Sequence, residues 1–225
     1  MSEFDLIHDN KRAHKTKTVR ADARIRACVK LIRQEQPESL LDIGCGDGGF
    51  LRKFSHVPRR VGLDIVHRKL EADIEFVLHD LTLKMPFDKA SFDAIFAGEI
   101  LEHLLDTDYF LRECHRVLKP GGILVLTTPN LCALKNLFLW AAGKQLQYID
   151  YRLGGLGHVR YFSPESLKQI LQDNDFIITK LITNGYNLGD YSNMLVWLEN
   201  LSIWIFSFLL RGNCLIVKAK KEALG

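Results

Sequence analysis

The residues best suited to chemistry in this 225-residue chain lie in Leu40-Leu-Asp-Ile-Gly-Cys-Gly-Asp-Gly-Gly-Phe50. A buried strand (Leu40, Leu41, Ile43) breaks into a glycine-rich turn that leads to a helix at Phe50-Leu51. Glycines at 44, 46 and 48 have no Cβ, so a ligand can approach bare backbone there. Eighteen positions after Gly46, the second strand Val61-Gly-Leu-Asp-Ile65 carries Asp64 at its end. An acid there is suited to hydrogen-bonding a ribose diol, which points to a nucleoside-containing cofactor.

Glycine spacing alone does not say which nucleoside, because Gly44, Gly46 and Gly49 also satisfy the dinucleotide pattern G-x-G-x-x-G. Charge separates the readings. A pyrophosphate wants backbone N–H groups and a helix N-terminus. Asp42 and Asp47 would oppose it, by roughly 1 kcal/mol or more each at intermediate dielectric. A ligand with a cationic end is favoured, and S-adenosylmethionine combines an ammonium and a sulfonium with an adenosine. Two alternatives stay open: an NAD-dependent oxidoreductase using the same turn, and a non-catalytic descendant that only binds the cofactor.

At these residues the chain resembles the class I S-adenosylmethionine-dependent methyltransferases. Their motif (E/D)-x-G-x-G-x-G appears as Asp42-Ile-Gly-Cys-Gly-Asp-Gly48. The likeness continues through Asp64, Leu78-His-Asp80, Phe92-Asp-Ala-Ile-Phe96, Glu99-Ile-Leu-Glu-His103 and Leu118-Lys-Pro-Gly-Gly-Ile-Leu-Val-Leu126. It is similar to the small-molecule group typified by ubiquinone and menaquinone biosynthesis. The resemblance covers residues 20–130 closely and 155–220 more loosely.

The resemblance implies roles. Asp42 receives the methionine ammonium, beside the Gly44 backbone. Asp64 takes the ribose hydroxyls. Asp80 accepts from the adenine amino group, with the Leu81 N–H to a ring nitrogen and Ile65 and Leu81 sandwiching the base. Glu99 lies near the methionine moiety or the acceptor. S-adenosylhomocysteine is the product. His103 is the first candidate base, with Glu102 to serve or orient it, and its ordinary pKa near 6.5 makes it titratable at working pH. His158 is the second candidate. Within Gly157-His-Val-Arg-Tyr-Phe-Ser-Pro164, Arg160 and Tyr161 are candidates to bind the acceptor. A base is required only for an alcohol, phenol or protonated amine, so an O-, N- or C-nucleophile stays open.

The elements that must position these residues alternate along the chain. Strands read at 39–43, 60–65, 75–79, 92–97, 122–128, 176–184 and 213–220. Helices read at 21–36, 48–56, 67–73, 105–118 and 163–174, with Asp106 and Ser163 as N-caps. Alternation of this kind argues for a parallel sheet covered on both faces. The resemblance implies a Rossmann-like, doubly wound α/β fold whose mostly parallel, seven-stranded sheet has the order 3-2-1-4-5-7-6. Apolar helical insertions follow strands 5 and 6.

Composition fits a single domain over residues 1–225, with 47% apolar and 25% charged residues. A formal net charge of +3 does not suggest nucleic acid. Five scattered cysteines without a C-x-x-C pair fit a reducing compartment and give no metal site; a cytoplasmic location is expected. The N-terminus lacks the apolar core of a signal peptide. Residues 1–20 form a basic segment, and insertions 131–162 and 186–210 are expected to build the acceptor pocket or its lid. The run 194–210 is apolar but interrupted by Glu199 and Asn200, so a membrane span is disfavoured. A lid or a peripheral membrane contact remains for it. The acceptor is expected to be small and partly apolar. No Asn/Asp-Pro-Pro-aromatic tetrad for base methylation is present, the nearest stretch being Thr127-Thr-Pro-Asn130. Metal-dependent O-methyl transfer is disfavoured for want of a late Asp/Asn cluster.

Overall fold

Apolar runs that read as buried strands come together in one sheet. A computed structural model describes residues 18–144, 157–183, 186–187 and 212–222. Most of the two insertions, 145–156 and 188–211, and the basic residues 1–17 lie outside the described residues. The strands are β1 (Ser39–Ile43), β2 (Arg59–Asp64), β3 (Glu75–Leu78), β4 (Phe92–Gly98), β5 (Leu118–Pro129), β6 (Phe176–Thr183), β7 (Tyr186–Asn187) and β8 (Cys214–Lys221). Their order is β3-β2-β1-β4-β5-β8-β6-β7. The first five are parallel, whereas β8 runs antiparallel between β5 and β6. The expected order 3-2-1-4-5-7-6 is therefore present. The two-residue β7 adds an edge pair on β6 that the sequence reading did not contain.

Among the described residues, four α-helices flank the sheet: α1 (Thr18–Arg33), α2 (Thr107–Val117), α3 (Leu134–Ala141) and α4 (Pro164–Asp173). Asp106 caps α2 by accepting the Tyr109 N–H, and Ser163 opens α4 in a reciprocal capping box with Ser166. Phe110, Leu111, Cys114, Leu167 and Leu171 pack one face of the sheet, and Cys28, Ile32, Leu51 and Phe54 pack the other. Each such buried side chain contributes roughly 1.5–3 kcal/mol. The parallel strands meet this core from both sides, and β1 is buried along its whole length.

Two expected helices do not form. Residues 48–56 make only a 3-10 turn at Leu51–Phe54. Glycines precede that turn, and Pro58 biases Val57 away from helical geometry, so i→i+3 bonds such as Lys53 N–H to Phe50 O replace a ladder. Residues 67–73 form no helix; Asp73 is instead drawn into an ion pair with the buried Arg60, and Leu70 packs over the glycine loop. Strand β5 starts earlier than expected because Leu118 already pairs with Phe92 ahead of an irregularity at Gly121 and Gly122. Among the described residues, no helix is long and apolar enough to cross a membrane.

Candidate active site

The carboxyl ends of β1, β2 and β4 converge on the glycine loop. Its N–H groups at Gly44 and Cys45 both donate to the Leu63 carbonyl, which ties the turn to the end of β2. Gly44 and Gly46 have φ of +73° and +53°, a left-handed conformation that side chains rarely adopt. A Cβ at Gly44 would run into the tip of the Ile100 side chain, which would have to shift to admit it. Around Gly46 nothing lies within 4 Å of a notional Cβ. That side leaves room for a ligand to approach the backbone.

Asp42, near the end of β1, is buried, and its Oδ2 meets no hydrogen-bond partner among the described residues. Burial holds its pKa well above the ordinary carboxylate value, and the nearby Asp64 adds to the rise. A buried carboxylate left this way is costly unless a cation or donor completes it. Asp64 is half-buried: Oδ2 accepts the Gly46 N–H at 2.9 Å and Oδ1 accepts the Val66 N–H at 2.9 Å. Each oxygen keeps acceptor capacity for a ribose hydroxyl. Asp47 behaves differently from its place in the charge argument. Its exposed carboxylate accepts the Gly49 N–H and pairs with Arg52, so its charge is turned outward and compensated. The case against a pyrophosphate therefore rests on Asp42.

At the end of β3, Asp80 Oδ1 accepts both the N–H and the hydroxyl of Thr82, at 2.9 Å each, forming an Asx turn that leaves Oδ2 outside these bonds. Leu81 packs on the core, and Ile65 is 48% exposed where the second strand ends.

The other half of the site follows β4. Glu99 has φ +59°, uncommon for a non-glycine residue. Its Oε1 accepts from Arg24 at 2.9 Å, from the Thr127 hydroxyl at 3.0 Å and from the Cys214 thiol at 3.4 Å. A 3-10 turn at Leu101–His103 follows. Glu102 within it is fully buried; Oε2 accepts the Thr128 hydroxyl at 3.0 Å, and Oε1 meets no partner among the described residues. Burial, then the charge of Glu99, pushes its pKa up to about 8.

The segment 157–162 folds over this turn. The Glu102 carbonyl accepts the N–H groups of Val159 and Arg160 at 2.9 and 3.1 Å, and Leu131 N–H donates to Phe162 O. Arg160 donates its guanidinium to the carbonyls of Leu104 and Leu105, so it staples the two loops and is not directed at open space. His158 is thereby brought to His103, ring centroids 4.9 Å apart and perpendicular, with Tyr161 6.0 Å from His158. His103 Nδ1 lies 3.3 Å from the Gly157 carbonyl, which can only accept; the bond therefore requires the Nδ1–H tautomer and leaves the Nε2 lone pair available.

Sequence reasoning placed His103 and His158 separately and gave Arg24 no place in the site. Arg24 instead reaches the site by bridging Glu99 and Thr127. Its position on a helix distant in sequence carried no signal of that. No metal-ligand set is legible along the chain either, yet Glu102, His103 and His158 present ligand atoms all within 4.8 Å of one another.

A doubly wound sheet, a glycine turn after its first strand and acids on the first two strand ends define a nucleoside-cofactor α/β domain. The chain belongs to the family described as "Methyltransferase domain", which matches residues 13–181. The mitochondrial ubiquinone biosynthesis O-methyltransferase of Homo sapiens is 30% identical over 195 residues, covering 78% of this chain and 52% of that protein. The corresponding protein of Pelagibacter ubique is 28% identical over 181 residues, covering 76% of this chain and 73% of that one. The chain spans about half the length of the mammalian relatives it matches. A solved S-adenosylmethionine-dependent methyltransferase from Archaeoglobus fulgidus superposes with a TM-score of 0.62 at 20% identity, covering 98% of this chain and 100% of that one. The expected class I fold and the S-adenosylmethionine cofactor are both borne out. The orphaned Asp42 carboxylate, the open Gly46 backbone and Asp64 suit that cofactor's ammonium, its chain and its ribose.

Proposed function

We propose that this protein transfers the methyl group of S-adenosylmethionine to a hydroxyl oxygen of a small, partly apolar acceptor such as a ring-hydroxylated quinone precursor. The single observation that carries this reading is the pairing of two halves on one sheet edge. An anionic, open glycine cradle stands on one side, and Glu102, His103 and His158 stand on the other. The O-methyltransferase relatives support oxygen as the acceptor atom.

When bound, the cofactor supplies an electrophilic methyl on a cationic sulfur. Asp42 would hold the ammonium, Asp64 the ribose diol, and Asp80 the adenine, with Ile65 and Leu81 flanking it. These residues fix where the methyl carbon stands, and such positioning contributes up to roughly 7–11 kcal/mol in favourable cases. Transfer to the acceptor oxygen would leave the carbon–sulfur electron pair on the departing sulfur. The hydroxyl proton is taken at the His103 end, whose Nε2 lone pair faces away from Gly157. Tyr161 supports the acceptor beside His158.

Calorimetry with S-adenosylhomocysteine tests the first half: micromolar binding is expected, with Asp64→Ala at least tenfold weaker. Absence of binding at millimolar concentration, or unchanged affinity in the variant, overturns it. Incorporation of labelled methyl into a panel of phenols, catechols and amines tests the second half, and transfer confined to amines would reject oxygen as the acceptor.

A further inference from the structure

We infer that the groove between the outer face of α1 and the 3-10 turn at Leu51–Phe54 is a binding site for a small phosphomonoester with an aliphatic body. The groove has a volume of about 720 Å³, and Arg26, Lys30, Arg33 and Lys53 line it together with Ile25 and Val29. That volume lies within the roughly 300–1,000 Å³ typical of small-molecule sites. None of these residues belongs to the cofactor or acceptor side described above.

Arg26, Lys30 and Arg33 stand at i, i+4 and i+7 of α1 and so share one face of the helix. Lys53 joins them from the turn that follows the glycine loop. All four cations are exposed, whereas Ile25 and Val29 beside them are half-buried against the core and give the groove an apolar floor. Arg33 is held in place. Its guanidinium donates to the Lys53 carbonyl at 2.6 Å and stands 5.8 Å from the Phe54 ring centroid, with further N–H groups left for a ligand.

Charge complementarity selects the head of that ligand. Elsewhere on the molecule basic side chains find carboxylates: Arg24 with Glu99, Arg52 with Asp47, Lys119 with Asp93 and Lys218 with Glu35. Among the described residues, Arg26, Lys30, Arg33 and Lys53 enter no ion pair, although they share one concave surface. A phosphate dianion meets guanidinium and ammonium groups of this kind through charge-assisted hydrogen bonds. The floor selects the body. It is aliphatic, so it offers no stacking platform for the bases of a nucleic acid. It also lies below the cationic rim, where a flat bilayer does not reach and the chain of one small molecule does.

The experiment titrates octyl phosphate, below its micelle-forming concentration, into the full-length chain by calorimetry, with inorganic phosphate and octanol as separate arms. One equivalent of octyl phosphate is expected to bind in the sub-millimolar range, with each separate arm at least tenfold weaker and added salt lowering the affinity. Arg26→Ala/Lys30→Ala should weaken binding at least tenfold. Lys84→Ala, at an exposed lysine outside the groove, should leave it unchanged. S-adenosylhomocysteine affinity, measured in parallel, reports whether each variant is folded. On the unaltered protein, octyl phosphate should protect Lys30 and Lys53 from acetylation by an N-hydroxysuccinimide ester, as read by mass spectrometry. Absence of binding, or binding undiminished in the double variant with both lysines unprotected, overturns the site. Inorganic phosphate binding as tightly as octyl phosphate rejects the aliphatic body and with it the ligand class. Binding to phosphatidylglycerol vesicles that the double variant loses, with octyl phosphate ignored, overturns the small ligand in favour of a membrane surface.

Discussion

Arg24 of α1 and Glu99 at the end of β4 form an ion pair of 2.9 Å across 75 residues of sequence, and both contact the Thr127 hydroxyl. The pair ties the first helix to the strand end that carries the candidate acceptor side. Both side chains are only partly exposed, so solvent screens the pair less than a surface one. Glu99 itself has a left-handed backbone conformation, and its N–H donates to the Thr127 carbonyl at 2.9 Å.

Arg24→Ala and Glu99→Gln, with the double variant, give a cycle whose coupling is expected at about 1 kcal/mol in urea unfolding. A coupling near zero would show that α1 is held by its apolar face alone, through Cys28, Leu31 and Ile32.

The glycine loop allows fold and ligand effects to be separated. Gly46→Ala forces a left-handed alanine into otherwise open space, so stability is expected to fall by about 1–2 kcal/mol. Binding of S-adenosylhomocysteine should fall further, by more than tenfold, because the new methyl occupies the open side of the turn. Gly44→Ala adds a clash with Ile100 and should unfold more readily, with part of the loss recovered in Gly44→Ala/Ile100→Ala. Equal binding by wild type and Gly46→Ala would remove the loop from the cofactor's contact surface.

Asp42 gives the pH dependence. Its folded pKa is raised by burial and by Asp64, so between the unfolded value and that higher value the native state binds more protons than the unfolded chain. Its protonation therefore favours folding at acid pH, and stability is lost as pH rises through that window. Asp42→Asn removes the effect. The variant without cofactor is expected to match wild type near pH 4 and to exceed it by on the order of 1–3 kcal/mol at pH 8. Its affinity for S-adenosylhomocysteine should nonetheless drop at least tenfold, since the ammonium loses its counter-charge. Thermal unfolding across pH, with calorimetry on both proteins, checks the two opposed changes.

Strand content was legible because buried parallel strands are apolar runs bounded by turn residues. β1 falls at 39–43 as read, and the other main strands differ mostly by a residue or two at their ends. β5 differs more, since the pairing of Leu118 with Phe92 begins before a glycine pair that looks like a break in sequence. The helices missing at 48–56 and 67–73 both fall on short segments and have different causes: glycines and Pro58 bound the first, and the pairing of Asp73 with the buried Arg60 draws the second away from a ladder.

The sequence by itself placed together the residues proposed for the cofactor side, because Asp42, the glycines and Asp64 lie within two strands and the segment that joins them, and short-range spacing fixes their geometry. Tertiary structure decided the acceptor side. Glu102 and His158 are 56 positions apart and meet only because the Glu102 carbonyl accepts the N–H groups of Val159 and Arg160. Arg24 likewise becomes a site residue only when α1 packs on the sheet. Such long-range juxtapositions leave no periodicity in the chain, and it is the backbone hydrogen bonds of the folded state that create them.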